Sequence, residues 1–168
     1  DLDKVDAKTI DEKRAEGLAD EEIYRGIGNF YMRNGNRWER AAEYLKKAVA
    51  LNPKDAWSFN ALGMIYIDSE KGNSYFKQAI EADPKYPLAY YWLGYTYCRF
   101  WRDKEAIPVL EKYLEVAKEV KYESEVGRLE VAQALLKDLR QKNGGKELDG
   151  IRLPKEYIEG EHIKQGTE

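Results

Sequence analysis

One cysteine, one histidine and no long apolar run: the 168-residue sequence is poor in the groups that carry most site chemistry. Cys98 has no second cysteine to pair with, so no internal disulfide staples the chain and packing must hold it. Among the surrounding aromatics it reads as a structural thiol. His162 lies near the C-terminus and is alone, which removes a histidine-based nucleophile triad and a histidine zinc site. No stretch is long and apolar enough to span a bilayer. Neither sign of charge dominates: 28 Lys and Arg against 31 Asp and Glu leave a net charge of -3, too little to draw the protein onto nucleic acid or anionic lipid. No glycine loop follows a strand to cradle a phosphate. Asp1-x-Asp3 and Asp6 lack the glycine and distal glutamate of a calcium loop. The expectation is a protein with no catalytic residues, no metal and no cofactor, hence not an enzyme. No signal segment is visible, and a chain opening at Asp1 leaves the compartment open: soluble, whether cytoplasmic or exported after signal removal.

What is present is a folded composition, 43% hydrophobic, 12% aromatic and 35% charged, and a phrase that repeats. Ile27-Gly28-x-x-Tyr31 recurs as Leu62-Gly63-x-x-Tyr66 and as Leu93-Gly94-x-x-Tyr97. Ala48 with Asn52-Pro53 follows the first copy, and Ala79 with Asp83-Pro84 the second. A period in the low thirties signals stacked helical units. The apolar spacing places helices at about 20–34, 37–51, 54–68, 72–82, 86–100, 103–119 and 121–142. Asp20 reads as an N-cap, Asn34-Gly35-Asn36 and Lys71-Gly72-Asn73 as turns, and each Asx-Pro as a junction. Residues 1–19 form an N-terminal extension with a short helix ending near Gly17, and 143–168 a tail without sustained period.

With these motifs the chain resembles the tetratricopeptide repeat family, with about three repeats and a C-terminal capping helix. The first repeat matches at Ile27, Gly28, Tyr31, Ala41, Leu45, Ala48 and Pro53. The second matches at Phe59, Leu62, Gly63, Tyr66, Phe76, Ala79 and Pro84, and the third at Tyr90, Leu93, Gly94, Tyr97, Ala106 and Leu110. The resemblance implies an all-α fold, antiparallel helix-turn-helix repeats stacked as a short right-handed superhelical solenoid. The repeats fall at about 21–54, 55–86 and 87–119, with the cap at about 121–142, so the repeat domain is 20–142. Three departures stand out. Gly28 and Gly63 are 35 apart, which puts an extra residue, Arg37, in the first turn. Gly63 and Gly94 are only 31 apart, so about one helical turn is missing between Tyr66 and Gly72. Pro108 falls inside the second helix of the third repeat, where a late start, a kink or an atypically docked cap is expected.

The family's mode of action implies a non-catalytic adaptor that binds a peptide or protein in its concave groove. The mapping puts Arg25, Asn29, Trp57, Asn60, Met64, Tyr91, Tyr95 and Arg99 on that wall. The arginines would anchor acidic or carbonyl groups and the aromatics would supply burial. One subgroup of the family holds acidic chaperone tails through a carboxylate clamp. Arg25 and Asn29 match its first pair, but Ala61 replaces its next asparagine, with Asn60 one place out of register, and Leu88 and Trp92 replace its cations. That pattern excludes a clamp. The tail residues Leu148, Ile151, Leu153, Tyr157 and Ile158 form a candidate segment for self-docking. The alternatives are a self-associating homo-oligomer scaffold and, further off, RNA binding through Arg25, Arg33, Arg99 and Arg102.

Overall fold

The computed structural model describes residues 2–34, 37–119 and 126–142, and every regular element among them is a helix. In chain order these are α1 (Leu2–Ala15), α2 (Asp20–Arg33), α3 (Trp38–Leu51), α4 (Ala56–Ile65), α5 (Glu70–Ala82), α6 (Pro87–Arg99), α7 (Asp103–Ala117) and α8 (Val126–Lys142). The tightest packing joins α2 to α3, α4 to α5 and α6 to α7; each hairpin then leans on the next, and α8 closes the array against α7 and α6. The expected all-α helical-repeat fold is the observed one. The tail segment 143–168, with its five apolar residues and His162, lies outside the described residues, as do 120–125.

Each hairpin is drawn together by the same pair of positions. A Cβ added to Gly28 would stand 2.7 Å from Leu45 Cγ, one on Gly63 2.4 Å from the Phe76 ring, and one on Gly94 2.6 Å from a Leu110 methyl. The bare backbone of the first helix is therefore a socket for a large side chain of the second. Leu45, Phe76 and Leu110 are each fully buried in theirs. The junctions also repeat. Asn52 Oδ1 accepts from the Lys54 N–H at 3.1 Å, and Asp83 Oδ1 from the Lys85 N–H at 2.9 Å. The Asx side chain closes a turn over a proline that cannot continue the preceding helix.

The missing turn falls in α4, which has ten residues where α2 has fourteen and α6 thirteen. Asp68 follows in the left-handed region, φ 63°. Lys71-Gly72-Asn73 is not a turn but the opening of α5, capped by the Ser69 hydroxyl at Gly72 N–H. A Cβ on Gly72 would lie 2.2 Å from the Tyr66 carbonyl oxygen, so this glycine serves a close approach to the end of α4. Asn73, buried, accepts a 2.6 Å bond from the Thr96 hydroxyl and ties α5 to α6. Asp20 is likewise not a cap. The N-cap of α2 is Ala19, and the Asp20 carboxylate instead receives Nε and Nη2 of Arg14 at 2.7 and 2.6 Å, a bidentate pair that competes with capping. Helix α7 runs through Pro108. The proline lacks the N–H that would bond the Lys104 carbonyl, and both Pro108 and Lys104 are exposed residues, on the side of the helix where water is at hand.

Helix α1 is attached differently from the rest. Asp6 is its one buried residue, 4% exposed. The Tyr31 hydroxyl donates to Asp6 Oδ1 at 2.6 Å, and Arg40 Nε and Nη2 reach Oδ2 at 2.8 and 2.6 Å. Arg40 Nη2 also meets Asp3 at 2.7 Å. Burial pushes the Asp6 carboxyl up, but the hydrogen bonds from Tyr31, Tyr44 and Arg40 outweigh it and hold the group below the usual aspartate range.

Candidate functional site: the face of the first helices

The glycine of each hairpin gives a common frame for α2, α4 and α6. Three residues before it stand Arg25, Asn60 and Tyr91; one after it, Asn29, Met64 and Tyr95; six before it, Glu22, Trp57 and Leu88. Steps of three and four put these positions on one face of each helix. The face changes character along the array. Arg25 is exposed and Asn29 half-buried on α2; Trp57 and Met64 are half-buried on α4. On α6, Tyr95 is 9% exposed and Tyr91 has no exposed surface.

Tyr91 thus belongs to the core and cannot present its ring to a partner. Its ring meets Trp92 edge-on at 5.1 Å and tilts against Tyr113 at 5.3 Å, while Trp92 meets Tyr95 edge-on at 5.8 Å. The fully buried ring of Tyr113 occupies the space beside Tyr91. Cys98 is buried in the same cluster. Met64 of α4 and Ile67 of the turn after it pack on the edge of this cluster, whereas Trp57 leans the other way, on the core of the first hairpin.

Arg25 and Arg99, the two arginines expected on the groove wall, face carboxylates that the repeat frame did not single out. Arg25 Nη1 lies 4.0 Å from Asp55, whose side chain also caps α4 by accepting from Ser58 N–H at 3.1 Å and from the Ser58 hydroxyl at 2.6 Å. Arg99 Nη2 lies 3.2 Å from Asp68, the left-handed residue of the shortened turn, and its guanidinium sits 5.9 Å from the Tyr95 ring centre. Arg102 pairs with Glu70 at 2.7 Å and with Glu105 at 3.0 Å. Of the four arginines considered for RNA, three are thus matched by acids. Asp55 carried a signal that the reading of a helix from about 54 did not use, an Asp three residues before Ser58 at a helix start; Asp68 had no signal beyond its place in the deletion.

Asn60 is 7% exposed, and its Oδ1 receives no hydrogen bond. A buried amide oxygen without a donor is uncommon; this one is closed to solvent, so a partner's backbone N–H reaches it only when the Asn60 side chain turns outward. Among the described residues no group of three or more His, Cys, Asp or Glu could hold a metal ion, and no helix is long and apolar enough to cross a membrane.

A row of sequential hairpins with a mixed polar and apolar face along its first helices defines an α-solenoid built for contact with other chains. Residues 22–55 and 75–107 each match the tetratricopeptide repeat, so the chain carries tetratricopeptide repeats. The repeat domain of Sgt2 from Aspergillus fumigatus has the same fold, with a TM-score of 0.62 at 20% identity over 82% of this chain and 90% of that one. The first repeat domain of Spaghetti (RPAP3), bound to the HSP90 peptide SRMEEVD, gives a TM-score of 0.60 at 19% identity over 74% and 94%. In sequence, Protein CTR9 homolog of Arabidopsis thaliana is 39% identical over 51 residues; these are 30% of this chain and 5% of that protein's length.

Proposed function

We propose that the protein is a non-catalytic adaptor that captures an extended peptide or a protein edge on the concave face of its first helices. The observation that carries this reading is the middle of that face, where the unfilled acceptor of Asn60 stands on the same helix face as half-exposed Trp57 and Met64. Apolar side chains of the partner would cover Trp57 and Met64, and Asn60, turned outward, would accept a backbone N–H. Arg25, Asn29, Tyr95 and Arg99 border the contact. Tyr91 stiffens it from behind through Trp92. The HSP90 peptide bound by the Spaghetti domain is acidic at its end, whereas this chain has Leu88 and Trp92 in place of clamp cations and acids beside Arg25 and Arg99. The favoured ligand is therefore mixed apolar and polar rather than a free acidic tail.

Selection of binders from a random displayed-peptide library tests the proposal. Selected peptides should bind in the micromolar range, about -8 kcal/mol, and lose about tenfold with Trp57→Ala or Asn60→Ala but not with Arg33→Ala. Binders indifferent to Trp57 and Asn60 would move the site elsewhere. The peptide SRMEEVD should not bind; micromolar binding would restore the clamp. Removing residues 146–168 should raise peptide affinity if the tail lies across its own groove. Light scattering at two concentrations separates the adaptor from a homo-oligomer scaffold.

A further inference from the structure

The molecule has a second place shaped for contact, at the opposite end from the aromatic core. Among the described residues, four of the seven exposed large hydrophobics, Leu2, Val5, Leu18 and Phe30, line one cleft of about 550 Å³ between α1 and α2. Val5 is 58% exposed and Phe30 57%. The floor is Ile23, Gly26 and Ile27, and a Cβ on Gly26 would meet nothing within 4 Å. Apolar surface of this kind, gathered in one place and left unfilled, marks a contact site. Helix α1 lines it with Leu2, Val5, Asp6, Thr9 and Lys13, and its apolar members Leu2 and Val5 leave it open.

What holds α1 there is its acid. The Asp6 carboxylate enters a pocket formed by the hydroxyl of Tyr31 and the guanidinium of Arg40. Tyr31 and Tyr44 stack at 6.3 Å with Arg40 against both rings, at 5.5 and 6.0 Å. Asp3, one turn earlier, takes the outer side of the same guanidinium. Helix α1 therefore satisfies a receptor for two acids spaced three apart while leaving the neighbouring apolar cleft open.

From this mismatch we infer that α1 is a displaceable latch, and that the face of α2 and α3 beneath it receives a partner helix of the form Asp-x-x-Asp with larger apolar side chains where α1 has Val5 and Thr9. Such a helix keeps the bonds to Arg40 and Tyr31 and adds the burial that α1 forgoes. This face is distinct from the peptide groove, and either can hold without the other.

The test uses the full chain and a fluorescein-labelled peptide of residues 1–19 carrying Val5→Leu and Thr9→Leu. In Asp6→Ala the amides of α1 should exchange with deuterium about tenfold faster while those of α3 keep their protection. The peptide should bind this variant about tenfold more tightly than wild type. Binding should vanish when the peptide also carries Asp6→Asn, and when the variant chain also carries Arg40→Gln or Gly26→Leu, the latter filling the cleft. In an otherwise wild-type chain, Val5→Leu with Thr9→Leu should slow exchange in α1, a readout that needs no opened site. The inference is overturned if α1 stays equally protected in Asp6→Ala. It is also overturned if the opened chain leaves the peptide unbound, or if all forms bind it alike.

Discussion

Helix α2 buries four of its fourteen residues and α6 eleven of its thirteen, although the two occupy the same place in their hairpins. Both carry the repeat phrase, and both set a glycine against a leucine of the following helix. The difference lies in what surrounds them. Helix α2 pairs with α3 and receives α1 along a half-filled cleft, whereas α6 is enclosed by α4, α5, α7 and α8. Equivalent positions thus hold an exposed arginine, Arg25, and a fully buried aromatic, Tyr91. In a short array the ends and the middle do different work: the third hairpin anchors the structure, and the first two offer accessible surface.

The comparison is broken most sharply at the paired positions Tyr91 and Arg25. Tyr91→Ala opens a cavity among Trp92 and Tyr113 and should lower the free energy of unfolding by about 3–5 kcal/mol in urea titration. A loss below 1 kcal/mol would mean that the ring is not part of the core. At the α2 end, Asp6→Ala removes a buried charged acceptor and should cost about 1.5–3 kcal/mol at neutral pH. Its pH dependence has a definite sign. Because the folded carboxyl titrates below its unfolded value, near 3.9, its stabilisation is complete above that value and disappears as the pH falls through the lowered one. The gap between wild type and Asp6→Ala should hold constant from pH 5 to 8 and close in acid, seen as converging urea midpoints.

Within the hairpin seam the two regions should behave alike. Gly28→Ala and Gly94→Ala both force a leucine from its socket, and each should destabilise by about 1–3 kcal/mol. Unequal values would show that the neighbours of α6, rather than the seam, set the closeness of its hairpin. The smallest effect belongs to Arg25→Ala. This exposed side chain, 4.0 Å from Asp55, should change stability by no more than about 0.5 kcal/mol by thermal unfolding while weakening peptide capture.

The contrast between the hairpins also explains which features were legible from residue order. Helix number, the Asx-Pro junctions, the glycine phrase and the lost turn of α4 are local, and a period or a spacing records them. The face of each first helix was legible too, through three- and four-residue steps. What covers that face was not, because it depends on residues far along the chain. Tyr91 read as groove-lining since nothing in its own helix says that Tyr113 packs beside it. Asp20 read as a cap because the competing guanidinium of Arg14 belongs to another helix. Gly72 and Asn73 read as a turn because the signals for turning and for close approach are the same residues. The acid receptor under α1 joins Asp6 to Tyr31 and Arg40 across 25 and 34 positions and leaves no periodic trace.

The three glycine sockets have a consequence for how such a chain can grow. The spacing within a hairpin is dictated by two of its own residues, Gly28 with Leu45, Gly63 with Phe76, and Gly94 with Leu110. A unit that carries its own dimensions can be duplicated or deleted without redesigning its neighbours, provided the terminal surfaces are re-covered. Longer or shorter descendants are therefore a few genetic events away, and the strongest selection falls on the end pieces.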